Sequence, residues 1–122
     1  MANVLLIADD DWVRNDVEAA LSGPRRTIAN VADPREAVQA AADGEPEVII
    51  IDMQVGSMGG MAVVRACKDA AAAGLIAEVP LVLLLDRAAD TFLADRSGAD
   101  AWVTKPFTAQ ELRAVIPTGS SV

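Results

Sequence analysis

Histidine is absent from this sequence. Its absence excludes a Ser-His-Asp or Cys-His catalytic arrangement within the chain, and the chain cannot donate a phosphoryl group from a histidine of its own. Cys67 is the single cysteine of the sequence, which excludes a disulfide framework. A single cysteine within a predicted helix favours a reduced, cytoplasmic setting.

Long apolar runs and an excess of basic residues are also missing. The apolar start at residues 4–8 is short and is followed by three aspartates, which is not the pattern of a signal peptide. No apolar run approaches the ~18 residues of a membrane span. Lys and Arg number 10 against 18 Asp and Glu, which gives a net charge of -8. This balance disfavours direct binding to nucleic acid or to an anionic membrane, because both need basic residues to neutralise phosphates.

What the sequence does contain is a set of short apolar runs, most of which end in a charged residue. The clearest is Val48-Ile49-Ile50-Ile51-Asp52, in which four β-branched residues lead directly into a carboxylate. The run does not alternate with polar residues, so it predicts a central strand of a parallel sheet that is buried on both faces. Asp52 would then stand at the carboxyl end of its strand, where the functional crevice of open α/β sheets lies.

Five such runs alternate with five segments of helical character, and 122 residues fit one domain. Strict alternation predicts a parallel sheet with right-handed crossovers and helices on both faces. The length fits a flavodoxin-like, doubly wound (βα)5 fold with strand order 2-1-3-4-5. Strands are predicted at residues 3–8, 27–31, 48–52, 81–85 and 101–104, and helices at residues 12–21, 34–44, 61–73, 90–96 and 108–116. We expect residues 1–117 to form the domain and residues 118–122 to form a disordered tail.

The strand order predicts a site as well as a fold. Strands 1 and 3 are neighbours in it, so Asp9, Asp10 and Asp52 are expected to meet at one crevice. Converging carboxylates need a counter-charge. One candidate is a divalent cation, for which hard oxygen ligands select Mg²⁺, and the other is Lys105 at the end of the fifth strand. A carboxylate beside two such cations is arranged for nucleophilic attack on phosphorus.

Taken singly, these residues have simpler interpretations. The aspartates at positions 9–11 suit the N-terminus of a helix, where negative charge is favoured. Asp52 alone fits a solvated strand end, and Lys105 alone fits a surface lysine. Their joint placement at the ends of strands one, three and five favours a functional site.

The same residues carry a resemblance to a known family. The sequence resembles the CheY-like receiver domain of two-component response regulators over nearly its whole length. The matching motifs are Leu6-Ile7-Ala8-Asp9-Asp10, Ile50-Ile51-Asp52-Met53, Gly60, Gly98-Ala99-Asp100 and Lys105-Pro106-Phe107. The family accepts a phosphoryl group on an aspartate from the phosphohistidine of a sensor kinase.

The resemblance implies a role for each matching residue. Asp52 would be the phosphoacceptor, and Lys105 would pair with the phosphoryl oxygens. The Lys105-Pro106 peptide bond would be cis. Asp10 and Asp52 would hold Mg²⁺ directly together with the backbone carbonyl of Gln54. Asp9 would act on the metal through water.

The sequence also departs from the family pattern. Receivers usually carry Thr or Ser at the end of strand four, and here that position is Leu85, followed by Asp86, which would repel a phosphoryl dianion. Trp102 occupies the usual aromatic switch position, whose rotamer follows the missing hydroxyl. We therefore expect the usual coupling between the strand-four hydroxyl and the aromatic switch residue to be broken or rewired. Trp102 would then be either part of a fixed binding patch or a core residue.

Two functions of different classes remain open from the sequence. The first is a single-domain receiver in a phosphorelay, with at most self-phosphorylation and self-dephosphorylation activity. Its partners would be a sensor histidine kinase or phosphotransfer protein and a downstream protein target, and the chain would be a monomer or weak dimer. The second is a pseudo-receiver that serves as a phosphorylation-independent interaction module. A flavodoxin-like cofactor binder is disfavoured, because the aspartates at positions 9–11 would repel the phosphate of FMN.

Overall fold

A computed structural model describes residues 2–21, 26–56 and 59–116 of the chain. The strands are β1 (Ala2–Ile7), β2 (Arg26–Val31), β3 (Val48–Asp52), β4 (Leu81–Leu85) and β5 (Ala101–Thr104). The helices are α1 (Asp11–Leu21), α2 (Ala37–Gly44), α3 (Gly60–Ala72), α4 (Thr91–Ser97) and α5 (Ala109–Val115). Short 3₁₀ turns at Pro34–Glu36 and Ala88–Asp90 precede α2 and α4.

The five strands form one parallel sheet in the order β2-β1-β3-β4-β5. This confirms the predicted flavodoxin-like fold and its strand order. The register pairs Ile7 with Ile51 and Asp52 with Leu84. The tips of β1, β3 and β4 therefore lie side by side at one edge of the sheet.

Both faces of the sheet are covered, and successive residues of the central strands point to opposite cores. In β3, Ile49 and Ile51 pack with α2, α3 and α4, whereas Ile50 packs with α1 and α5. All three isoleucines are fully buried. Burying such a side chain stabilises the fold by about 1.5–3 kcal/mol, which is why an unbroken apolar run specifies this position.

Element ends differ from the sequence prediction in one instructive place. The second helix was predicted to begin at Pro34. Asp33 does accept a hydrogen bond from the Arg35 backbone N–H, but the turn that it caps is 3₁₀, and α2 begins only at Ala37. The Glu36 N–H donates to the Asp33 carbonyl, which closes the tighter turn.

Three parts of the sequence fall outside the described residues. They are Ser22-Gly23-Pro24 after the first predicted helix, residues 57–58 between β3 and α3, and the predicted tail at residues 118–122. Within the described part of the chain, every helix is too short or too polar to cross a bilayer.

Candidate functional site

The carboxyl ends of four adjacent strands supply the charged side chains of one crevice. Asp9 and Asp10 follow β1, and Asp52 is the last residue of β3. Asp86 follows β4 and Lys105 follows β5. Parallel pairing places all these tips at the same edge, so the fold brings the charges together before any side chain is considered.

Asp52 is the buried member of the group, with only 1% of the residue exposed. Its Oδ1 atom accepts a hydrogen bond from Lys105 Nζ at 2.7 Å and one from the Gln54 backbone N–H at 3.3 Å. A buried carboxylate is costly unless it is paired and hydrogen-bonded. The lysine contact offsets that cost and fixes the direction of the side chain.

Close packing of α3 contributes to the burial of Asp52. Gly60 begins α3, and its N–H donates to the Met53 carbonyl at 3.0 Å. A Cβ atom at position 60 would lie 2.6 Å from the Asp52 carbonyl oxygen. Glycine is thus the residue that lets the helix approach the end of β3 this closely.

Lys105 bridges two carboxylates. Its Nζ atom lies 2.7 Å from Asp52 Oδ1 and 2.9 Å from Asp86 Oδ1. The Lys105-Pro106 peptide bond is cis, and the Lys105 N–H donates to the Leu85 carbonyl at 2.7 Å. Burial by itself lowers the pKa of the Lys105 ammonium, but hydrogen bonds to Asp52 and Asp86 outweigh burial and raise that pKa above its ordinary value.

Asp9 and Asp10 turn to other partners in this structure. Asp9 Oδ2 accepts a hydrogen bond from the Gly56 N–H at 3.0 Å, which links the end of β1 to the loop after β3. Asp10 Oδ1 accepts one from the Trp12 N–H at 2.8 Å, the bond of a helix N-cap. Both aspartates are exposed.

A metal cluster is therefore not assembled in this arrangement. Among residues 2–21, 26–56 and 59–116, no three acidic side chains stand close enough together to hold a metal ion. The acidic side chains at the crevice nevertheless supply carboxylate oxygens, a ligand type that Mg²⁺ takes. Asp52 is fixed, whereas Asp9 and Asp10 are solvent-exposed side chains that can rotate at low cost.

The residues at the predicted switch positions have different environments. Leu85 is fully buried in the core against α2, α3 and α4 and brings no hydroxyl to the crevice. The Asp86 side chain is 32% exposed and pairs with Lys105. Trp102 is half-buried and packs against the same core as Leu85, which supports its interpretation as a core residue.

Sequence reasoning missed the ion pair between Lys105 and Asp86. It treated Asp86 only as a charge that would repel phosphate. The signal was available, because each residue directly follows its strand and β4 and β5 are neighbours in the predicted order. In the structure Leu85 pairs with Thr104, so the next residue on each strand faces the other.

Comparisons with known proteins identify response regulators as relatives of this chain. Residues 4–117 match the family described as "Response regulator receiver domain". The chain is 31% identical over 111 residues to the response regulator PmrA of Pseudomonas aeruginosa, which covers 90% of this chain and 49% of that protein. It is 28% identical over 116 residues to the KDP operon transcriptional regulatory protein KdpE of Escherichia coli, covering 93% and 49%.

Solved structures show the same fold. The chemotaxis protein CheY4 of Vibrio cholerae superposes with a TM-score of 0.77 at 26% identity, covering 95% of this chain and 99% of that one. The receiver domain of the sensor histidine kinase PA1611 of Pseudomonas aeruginosa, described with a magnesium ion in its active-site cleft, gives a TM-score of 0.78 at 23% identity and covers 93% of each chain. The present chain spans about half the length of the transcriptional regulators that it matches.

Proposed function

Because the chain belongs to the response regulator receiver domain family, we propose that it accepts a phosphoryl group on Asp52 from the phosphohistidine of a partner protein. One observation carries the proposal. A buried carboxylate lies 2.7 Å from an ammonium at the crevice formed by the strand tips. These 122 residues contain no histidine, so the donor phosphohistidine must lie outside them.

The proposed transfer uses Asp52 as nucleophile. Both hydrogen bonds that described residues give to its side chain end on Oδ1, so we assign the attack to Oδ2. A bond forms between Oδ2 and phosphorus, the bond between phosphorus and the donor's imidazole nitrogen breaks, and that nitrogen keeps the electron pair. Lys105 neutralises the negative charge that spreads over the phosphoryl oxygens.

Mg²⁺ belongs to the proposal as the second counter-charge. Asp10, Asp52 and the backbone carbonyl of Gln54 would hold it, with Asp9 acting through water. When bound, the cation neutralises charge on the phosphoryl oxygens and on the carboxylates. The exposed positions of Asp9 and Asp10 support this assignment, because either side chain can leave its present hydrogen bond to face a cation.

We propose that the partners are a sensor histidine kinase or phosphotransfer protein and a downstream target protein. The surface of α4, β5 and α5 is the proposed contact for the target. Two large apolar side chains on α4 support it, since Phe92 is 64% exposed and Leu93 is 40% exposed. Contiguous exposed apolar patches are typical of interaction surfaces, and these two side chains would contribute to one. We expect a monomer or weak dimer.

A second function has its own support. Leu85 supplies no hydroxyl for a phosphoryl group, and the ammonium of Lys105 already pairs with Asp86. Both features favour a pseudo-receiver, in which the domain binds its target without phosphorylation and the acidic crevice has no chemical role.

One experiment separates the two functions. The protein is incubated with Mg²⁺ and acetyl phosphate, and intact mass is recorded beside the Asp52→Asn and Asp69→Asn variants. Asp69 is an exposed acid on α3 that has the same charge and lies outside the crevice. The receiver function predicts one phosphoryl adduct on the wild type and on Asp69→Asn, and none on Asp52→Asn. No adduct on any of the three would support the pseudo-receiver.

A further inference from the structure

The ammonium of Lys105 is shared by two carboxylates, and one of them is incompletely satisfied. Lys105 Nζ lies within 2.9 Å of an oxygen from both Asp52 and Asp86. The second oxygen of Asp86, Oδ2, is buried and has no hydrogen-bond partner. Among the described residues, Lys105 is the one cation placed against Asp86. A buried anionic oxygen without a donor makes Asp86 strongly dependent on that ammonium.

The backbone keeps this pair together. Leu85 and Thr104 are register partners, and the Lys105 N–H donates to the Leu85 carbonyl at 2.7 Å. Asp86 and Lys105 are therefore neighbours for as long as β4 and β5 remain paired. Lys105 cannot turn fully toward a group on Asp52 without weakening its contact with Asp86.

Phosphorylation of Asp52 would increase the competition between positions 52 and 86 for the Lys105 ammonium. Two carboxylates and one ammonium leave a net negative charge at the crevice, and converting the Asp52 carboxylate to an acyl phosphate dianion adds to it. The added charge lies beside Asp86 and competes with it for Lys105. Two like charges that share one site disfavour each other's ionised forms by about tenfold or more.

We propose that Asp86 is an internal competitor for Lys105 that weakens the hold of the crevice on a phosphoryl group and so limits the yield and the lifetime of the aspartyl phosphate. This inference rests on the proposed function, because it assumes a phosphoryl group on Asp52. Asp86 acts through Lys105 and is a positioning residue.

The test measures beryllofluoride affinity in the presence of Mg²⁺ by titration calorimetry. The wild type is compared with Asp86→Asn, Asp86→Ala and Asp86→Glu, with Asp69→Asn as the control for a lost surface charge. Asp86→Asn and Asp86→Ala are expected to bind about tenfold more tightly than the wild type. Asp86→Glu keeps the charge and is expected to bind as weakly as the wild type, and Asp69→Asn is expected to match the wild type. Circular dichroism confirms the fold of each variant.

The order of the beryllofluoride affinities among the variants decides the outcome. A merely structural role would make Asp86→Glu behave like Asp86→Ala, and this result would overturn the inference. Equal affinity of the wild type and Asp86→Ala would overturn it too, while leaving Asp52 as a phosphoacceptor. If no variant binds beryllofluoride with Mg²⁺, the proposed function fails and the inference fails with it. As a second readout, the aspartyl phosphate of Asp86→Asn should outlive that of the wild type.

Discussion

Replacing Gly60 with alanine tests how closely α3 packs on the end of β3. A Cβ atom at this position would lie 2.6 Å from the Asp52 carbonyl oxygen and 2.8 Å from the Met53 Cα atom. Both neighbours are backbone atoms, so no side-chain rotation can relieve the overlap. The start of α3 or the end of β3, which carries Asp52, must therefore move.

The expected size of the effect follows from two opposing terms. Adding a methyl group to a site without room costs about 1–3 kcal/mol. Alanine in a helix is better than glycine by about 0.5–1 kcal/mol. Because Gly60 lies at the first position of its helix, the second term is at its smallest there. We expect Gly60→Ala to lower the free energy of unfolding by about 1–3 kcal/mol, a large share of the ~5–15 kcal/mol of a typical domain.

Urea unfolding followed by circular dichroism measures this change, and Gly44 provides a matched control. Gly44 is the last residue of α2, and a Cβ atom there would meet nothing within 4 Å. Gly44→Ala should raise the free energy of unfolding by about 0.5–1 kcal/mol. If Gly60→Ala stabilised the fold as Gly44→Ala does, the close approach of α3 to Asp52 would be refuted.

Three further predictions concern residues outside the crevice. Burial raises the pKa of the Cys67 thiol from 9.0 to about 11. A thiol reagent should therefore label unfolded protein far faster than native protein at pH 8. The stability due to the protonated thiol should be lost as the pH rises from 9.0 through about 11. Thr108→Ala removes the bond from Glu111 N–H to Thr108 Oγ1 at 3.0 Å and should lower the urea unfolding free energy by about 1 kcal/mol, whereas Thr108→Ser should not. Glu45 has a left-handed φ of 48°, a backbone conformation that is costly for a residue with a Cβ atom. Glu45→Gly should therefore raise the thermal midpoint of unfolding. An unchanged or lower midpoint would contradict backbone strain at this residue.

The fold followed from the sequence because burial on both faces leaves a simple pattern. The strands β3 and β4 are buried at every residue, and each reads as an unbroken apolar run. The edge strand β2 is different, because polar Thr27 and Asn30 interrupt its apolar residues. Its pattern was correspondingly weaker, which is typical of a strand near the edge of a sheet.

The candidate site was predictable only as far as the backbone determines it. Strand order brought Asp52 and Lys105 to the same edge, and the structure has them in contact. The directions of exposed side chains do not follow from residue spacing. Asp9 instead accepts a hydrogen bond from the Gly56 N–H, and Asp10 accepts one from the Trp12 N–H and caps α1.

The charge state of Lys105 decides what it contributes to the crevice. Its pKa is raised, because its hydrogen bonds to Asp52 and Asp86 outweigh the effect of burial. A raised lysine pKa means that the stability from these ion pairs is fully present below the ordinary value of 10.5 and is lost only as the pH rises through the higher folded value. At neutral pH the ammonium is therefore charged and holds its protons more tightly than a free lysine. Lys105 consequently acts as a fixed positive charge rather than as a proton donor, and the carboxylates of Asp52 and Asp86 compete for one charge of constant size.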